Sequence, residues 1–540
     1  MMGAGTFRAV EAVRDAGGRA CGGWRRWVLA AAVAMATVGP GMRAGAAAAR
    51  DEGPVRIPLE AMGYQTIAPE FLLSGSSMMT VNFVDNEHLL ITFGLRRLMM
   101  RELDPPPDDD DRTIGAYLVE LPSGKVLARA EWRLHDRLQY LWSLGHGRFL
   151  LRVRDRLTVI APMQAGNADD PLREQPLLRL DRHIVAVLVS SNGDLLTVET
   201  TKRATGEGEV GEISLGDAHG QDPAPVQMNF YRLVSAGDDL AASPAGAIRT
   251  QNAVSLPLTA AGFLDVIEGG KGRWLFNFDE HAGKVDELAE WDTNCYPRPT
   301  FIGHSQFVAF GCHAAKDLRD LAGFNLKGEQ MWQLSFYDNY VSPTFAFAPE
   351  GGRFALGRTI VAGDVDASFP LTASVVTAQE VRVYQSYDGR QLFRIDCSPI
   401  ERAGQNFDLS GDGMRLAVVR EALIHHAATR DDPAYTQRET AVEVYALPAP
   451  SDKDRAEVKA AEVRAPVDTG ARIDLSLERV SVPAKAEGEA AVGATDAAAQ
   501  AGTGSGAGDA SAAVGDAVPE APRKQPTLYG PGEGPEKKPQ

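Results

Sequence analysis

Gly283-Lys284-Val285-Asp286-Glu287-Leu288-Ala289-Glu290-Trp291 repeats Gly124-Lys125-Val126-Leu127-Ala128-Arg129-Ala130-Glu131-Trp132, with six of nine positions identical at the same spacing. Each copy follows a run of strand character, Arg273 to Phe278 in one case and Tyr117 to Leu121 in the other, so each reads as strand, glycine-bearing turn, strand. A hairpin that recurs more than a hundred residues away marks a repeat architecture, and the period decides which one.

Working outward, a second kind of hairpin recurs: an apolar strand, a polar or glycine turn, and another apolar strand rich in Leu, Val and Phe. Six copies are clear. They are Thr80 to Phe93, Tyr140 to Val153, Val185 to Glu199, Pro299 to Phe310, Pro343 to Leu356 and Asn406 to Val419. Between them lie outer hairpins of the opening type, Gly323 to Leu334 and Val381 to Ile395, and the single strands Leu157 to Ile160 and Ala441 to Leu447. Asn252 to Glu268, a poor pattern, supplies the inner half of the remaining unit. The total is seven units, spaced about 45 to 60 residues apart where well marked, close to the period of four-stranded propeller blades with loop insertions. The expected fold is all-β: a single β-propeller of seven four-stranded blades over 78–448.

Two of the inner hairpins carry a resemblance to a known family. Phe345-Ala346-Phe347-Ala348-Pro349-Glu350-Gly351-Gly352-Arg353-Phe354-Ala355 and Phe407-Asp408-Leu409-Ser410-Gly411-Asp412-Gly413-Met414-Arg415-Leu416-Ala417 resemble the repeat of TolB-type and other WD40-like propellers. In that repeat a small Asp/Gly turn precedes a basic residue and an apolar strand. Leu121-Pro122-Ser123-Gly124-Lys125-Val126 resembles the outer hairpin of pyrroloquinoline-quinone-type propellers. The resemblance implies a fold and not an activity, because propellers host enzymes, receptors and scaffolds alike.

The ends follow from a ring. Ala441 to Leu447 reads as the third strand of the last blade, whose outer edge then needs a partner. Val55-Arg56-Ile57-Pro58-Leu59, in the lead-in 50–77, is the preferred closing strand, and Ile473-Asp474-Leu475-Ser476-Leu477, in the linker 449–486, competes with it. Residues 487–540 are dominated by Ala, Gly, Glu, Asp and Pro, and read as a disordered tail.

Charge and the first residues address location and partners. Residues 1–49 read as a signal peptide: a basic segment ends at Arg25-Arg26-Trp27, an eleven-residue apolar run spans Val28 to Val38, and small residues follow from Ala44 to Ala49. An ordinary secretory signal is preferred over the loose twin-arginine likeness, and the expected location is periplasmic or secreted. The formal net charge is −17, and the signal carries six Arg against Glu11 and Asp15, so the body without it stands at −21. A body this acidic repels phosphate backbones, which argues against nucleic acid as a partner.

In an oxidising compartment cysteines are commonly paired. Cys295 and Cys312 flank a hairpin turning at Gly303-His304; antiparallel residues about that turn have numbers summing to 607, as these two do, so a Cys295–Cys312 bridge is expected with Cys397 free. Three unrelated buried thiols are the alternative, since Pro297 and Pro299 disturb the register. A zinc site with His313 lacks a fourth ligand.

No motif in the chain rises above a structural explanation of its chemistry. The run Asp108 to Asp111 lacks the alternation and turn glycine of a calcium loop. His425-His426, followed by Asp431-Asp432, stands on a strand that would point adjacent histidines to opposite faces. No Gly-x-Ser-x-Gly lies in the body, and no adjacent cysteine pair supports quinone chemistry. Trp132, Trp142, Trp274, Trp291 and Trp332 read as packing between blades rather than sugar-stacking residues, two of them being repeat-equivalent. No catalytic residue, metal or cofactor is assigned. The expected role is a monomeric, exported scaffold that binds a protein or small-molecule ligand through Leu103 to Arg112, Thr205 to Pro225, Ala362 to Thr377 and Ala427 to Arg438. The alternative is a hydrolase, lyase or oxidoreductase working from a polar central funnel.

Overall fold

The computed structural model describes residues 53–66, 78–95, 112–134, 139–201, 226–236, 239–250, 261–280, 285–312, 318–337, 343–348, 350–361, 375–397, 406–428 and 433–461, together with Thr259, Gly470, Arg472 and Ile473. Its strands form seven antiparallel sheets. After β1 (Val55–Pro58), the first blade holds β2 (Thr80–Phe83), β3 (His88–Gly94), β4 (Arg112–Glu120) and β5 (Val126–Leu134). The second holds β6 (Leu141–Gly145), β7 (Arg148–Val153), β8 (Arg156–Ile160) and β9 (Gln175–Arg179), and the third β10 (His183–Val189), β11 (Leu195–Thr201), β12 (Val226–Ala236) and β13 (Asp239–Thr250). The fourth shows β14 (Gly262–Gly270), β15 (Arg273–Glu280) and β16 (Val285–Asp292). The fifth holds β17 (Arg298–Phe301), β18 (Gln306–Cys312), β19 (Leu318–Asn325) and β20 (Gln330–Tyr337). The sixth holds β21 (Thr344–Ala348), β22 (Arg353–Val361), β23 (Val376–Gln385) and β24 (Gln391–Cys397). The seventh combines β25 (Phe407–Leu409), β26 (Arg415–His426) and β27 (Tyr435–Ala446) with β1, which pairs antiparallel to β27 from Val55↔Val444 to Pro58↔Ala441.

The sheets close into a ring because the second strand of each blade is apolar on both faces and must be covered twice. Leu90 of β3 packs with Phe149 and Leu151 of the second blade, whereas its neighbours Leu89 and Ile91 pack with Ala417 and Val419 of the seventh. Seven such cores exist, one for each pair of successive blades, and the last returns to the first. A seven-bladed β-propeller is the only arrangement that gives every sheet two neighbours in this order.

Blade four is placed by its connections. Only five residues, 293–297, separate β16 from β17, too few for a further strand of the same sheet, so β16 is the last strand of its blade. So β14, β15 and β16 are second, third and fourth strands, and the two copies of the opening repeat occupy equivalent outer hairpins. Gly283 lies outside the described residues. Gly124 sits at φ +68°, a left-handed conformation that only glycine adopts without cost.

Three findings depart from the sequence reading. The register of β17 and β18 runs Arg298↔Phe310 to Phe301↔Phe307, so opposed numbers sum to 608 rather than 607, the turn being centred on His304. Cys295 and Cys312 lie past the end of that ladder and are bonded there, with their Cα atoms 5.4 Å apart. Secondly, Ile473 does not sit at the ring closure; its N–H donates to Ala245 O on blade three at 2.9 Å, while 474–477 lie outside the described residues. Thirdly, the stretch read as a linker contains helix α1 (Asp452–Ala461). It is started by a capping box: Ser451 Oγ accepts from the Asp454 N–H at 3.0 Å and Asp454 Oδ2 accepts from the Ser451 N–H at 2.9 Å.

Candidate binding face

Strand order divides the ring into two faces. First-to-second and third-to-fourth strand turns share one face, and second-to-third and fourth-to-first connections share the other. The four stretches singled out as contact loops join β3 to β4, β11 to β12, β22 to β23 and β26 to β27. All four are second-to-third connections, so they leave the ring from one face, here the loop face. Most of their residues lie outside the described ones, but the strand ends that launch them do not.

On the loop face two hairpins outrun their blades: β22–β23, which pairs on to Val361↔Val376 although β21 ends opposite Gly357 and β24 opposite Gln379, and β26–β27. β26 and β27 pair from Arg415↔Ala446 to His426↔Tyr435, whereas β25 covers β26 only as far as Val418 and β1 covers β27 only as far as Ala441. Beyond that point six residue pairs, from Glu421↔Thr440 to His426↔Tyr435, continue as a two-stranded ribbon. His426 stacks on Tyr435 at 4.4 Å and His425 Nδ1 lies 2.7 Å from Thr436 Oγ1, so the adjacent histidines engage different partners. Asp431-Asp432, like Asp108 to Asp111, lies outside the described residues. Among the described residues no group of three His, Cys, Asp or Glu side chains is placed to hold a metal.

Both hairpins rise from buried ion clusters. Glu380, fully buried, accepts from Arg358 Nη2 at 2.7 Å and from Arg382 Nε at 2.5 Å, and Arg394 Nε reaches its other oxygen. Burial alone would raise its carboxyl, but the Arg382 and Arg358 hydrogen bonds outweigh burial and hold it below the usual range. Arg358 also lies 4.5 Å over the Phe336 ring of blade five. In blade seven Glu443 takes the corresponding part, accepting from Arg56 Nη1 at 2.8 Å and from Arg420 Nη1 at 2.9 Å. Arg358 and Arg420 each stand five residues after the arginine that opens their strand. Fixing long side chains in charge-assisted bonds makes the ribbon bases rigid.

Exposure marks the same face. Of the large apolar side chains among the described residues, those more than half exposed are Tyr296 (51%), Tyr337 (80%), Leu423 (61%) and Tyr435 (52%). Tyr296 follows β16, Tyr337 ends β20, and Leu423 and Tyr435 stand on the ribbon: all four belong to the loop face. A cavity of about 510 Å³ lined by Arg154, Asp155, Arg156, Arg179 and Asp181 opens there between the β7–β8 turn and the end of β9. The Cys295–Cys312 disulfide also belongs to this face, tying the blade-four exit to the end of β18.

Two carboxyls stand out inside the ring. Asp408, on the innermost strand of blade seven, accepts from the Phe83 N–H of blade one at 2.7 Å and from the Leu409 N–H at 2.9 Å. Burial, opposed by those two bonds, pushes it up to about 7. Asp265 on β14 is raised to about 6 by burial, with the Val266 N–H opposing and Asp279 reinforcing. Asp408 bolts the inner strands of the last and first blades together, an architectural use of the polarity an enzyme would use for chemistry. Cys397 is a buried thiol pushed up to about 12 by desolvation, far from a reactive thiolate.

Trp132, Trp291 and Trp332 are buried against the following blade, and Trp332 Nε1 donates to Ser386 O at 2.7 Å. The ion clusters escaped the sequence reading because they join strands whose register had to be known first. The only trace was the repeat of a basic residue after each glycine turn.

No protein-family model and no curated protein matches the chain. Among solved structures it is similar to the Pyrococcus horikoshii acylaminoacyl peptidase, at 10% identity and TM-score 0.38 over 69% of this chain and 52% of the peptidase. It is also similar to an oligogalacturonate lyase in complex with manganese, at 9% identity and TM-score 0.37 over 70% of this chain and 98% of the lyase. A third is Kluyvelomyces marxianus Hsv2, at 9% identity and TM-score 0.31 over 67% and 96% of the two chains. The chain spans about half the length of the peptidase, and likeness at this level of identity is likeness of fold.

Proposed function

We propose that the chain is an exported seven-bladed propeller that recognises a protein through its loop face. The observation that carries this reading is the segregation of its most exposed apolar side chains, three tyrosines and a leucine, onto the face that also bears the four long connections. Tyrosine is enriched where proteins meet, because it offers a large rigid apolar area with a polar tip. Among the described residues the opposite face shows Val126, Leu127, Met163 and Val234, all less exposed.

Export is part of the same proposal, supported by the Cys295–Cys312 bond, which persists in oxidising compartments. The TolB-type likeness belongs to it as well. Its basic residue has a visible task here: Arg353 Nη1 donates to Gly413 O in the next blade's turn at 2.6 Å, and Arg415 Nη1 reaches Asn86 O one blade further on. The enzyme reading rests on Asp408 and Asp265, whose raised carboxyls suit proton transfer near neutral pH.

A photo-crosslinking residue placed at Tyr337 or Tyr435, with controls at Leu127 and Met163, tests the binding reading in the producing cell. One defined adduct from the first pair alone is the expected result. Equal adducts from both faces, or adducts from the controls only, would sink it. Loss of a turnover activity in Asp408→Asn or Asp265→Asn with unchanged melting would favour the enzyme.

A further inference from the structure

The core between blades three and four is not built from their strands alone. It comprises Leu195, Met228, Phe230, Ala245, Phe263 and one residue from beyond the propeller, Ile473, which is 1% exposed. Three features of β13 receive that residue. A bulge between Phe230 and Tyr231 of β12 leaves Ala245 as the extra, unpaired residue of β13. The Ala245 carbonyl is thereby free of the ladder and accepts the Ile473 N–H at 2.9 Å. The next residue is Gly246, and a Cβ there would stand 2.2 Å from the Ile473 carbonyl oxygen, so the chain can lie this close only over a glycine.

We propose that the bulged edge of β13 and the adjoining cleft between blades three and four form a peptide-binding groove, occupied in cis by the segment that begins at Gly470. The groove recognises a chain by one backbone hydrogen bond and one aliphatic side chain packed with Met228, Phe230 and Phe263. Leu195 and Phe263 lie towards the turn face and Met228 towards the loop face, so the groove sits at mid-height on the side of the ring. The chain at Ile473 is thereby fixed to the outer strand of blade three, and its side chain joins the core between blades three and four. Vacated, the same groove is an acceptor for an equivalent strand from elsewhere.

Hydrogen exchange on the full-length protein decides whether the groove is filled. The Ile473 amide is expected to exchange at least about 100-fold more slowly than an open chain, and exchange at the open-chain rate overturns the proposal. A fluorescent peptide of residues 468–480 then probes the groove itself. It is expected to bind the full-length Ile473→Asp chain at least about tenfold more tightly than wild type, whose groove is occupied, and to lose that binding when Gly246→Val is added. Equal binding to wild type and Ile473→Asp, or binding that ignores Gly246→Val, overturns it. A concentration-dependent dimer that dissociates on Ile473→Asp would show the groove filled by a second copy and overturn the cis assignment.

Discussion

The two faces of the ring are built to different rules. On the turn face the first-to-second strand turns of blades one, two, three, five, six and seven span two to five residues, and glycines in the turns of blades two, three and six press against the neighbouring blade. Gly193 faces Leu144 O of blade two, Gly147 faces Val84 O of blade one, and Gly351 faces Asp412 O of blade seven. On the loop face the second-to-third connections range from two residues to 24, and the exposed tyrosines gather beside them. The contrast teaches where each kind of information resides: the turn face holds blade to blade, and the loop face is free to vary and to bind.

The largest expected effect tests the first half of that contrast. A Cβ at Gly193 would stand 1.9 Å from Leu144 O, at a position whose φ is +71°. Gly193→Val meets backbone from the preceding blade as well as a disfavoured conformation, and should cost about 3 kcal/mol or more. Gly124, at φ +68°, meets only Ile57 Cγ1 at 3.7 Å, so Gly124→Val pays the conformational term alone, about 1–2 kcal/mol. Denaturant melts should rank the pair in that order. Equal costs would mean that the glycines serve turn conformation and not the contact between blades.

Much of the turn face was legible because its signals are local. An alternating strand, a glycine and another alternating strand announce a hairpin wherever they occur, and six inner hairpins could be bounded from such runs. β9 was not legible: Gln175–Arg179 contains Pro176 and follows a fourteen-residue connection without a glycine turn. Nor was β13, whose Ala, Pro and Gly are poor strand formers and are held in the sheet by pairing with β12 over its whole length. The contact loops could be picked out one by one, but that they share a face follows only from ring topology. Glu380 and Glu443 were hidden for the same reason, since nothing local in the chain says that Arg358 and Arg394 converge on one carboxylate. The cysteine pairing was approached through a register one residue off, the bond lying beyond the ladder that was used to locate it.

The disulfide is the place where the loop face itself carries stability. It closes a loop of sequence separation 17, and Cys295→Ser with Cys312→Ser should cost about 3 kcal/mol on loop-entropy grounds. A loss much below that, seen in matched oxidised and serine-substituted melts, would make the loop face as dispensable for stability as its long connections imply.

A pH series sharpens the comparison from inside the ring. The folded carboxyl of Asp408 stands at about 7 against an ordinary 3.8, because burial outweighs the Phe83 and Leu409 N–H bonds. The folded state therefore holds this proton over a range in which the unfolded chain has released it. The stabilisation from this group is complete below about pH 4 and is lost as pH rises through about 7. Asp265, raised to about 6, acts in the same direction. Asp408→Asn should flatten the fall in melting temperature between pH 5 and pH 8, and a slope identical to wild type would mean that burial does not hold a proton on this carboxyl in that range.

The smallest effect on stability should accompany the largest effect on recognition. Tyr337 is 80% exposed at the end of β20, so Tyr337→Ser removes little buried area and should move stability by no more than about 0.5 kcal/mol. If the loop face binds a partner through its tyrosines, the same change should weaken that complex by at least about tenfold, in the range of an interface hot spot. Measured against Leu127→Ser on the turn face, it separates the two faces by function as Gly193 and Gly124 separate them by packing. A stable Tyr337→Ser protein that keeps full partner affinity would leave the exposed tyrosines without a role in binding and return attention to the Arg154 cavity and the connection ends around it.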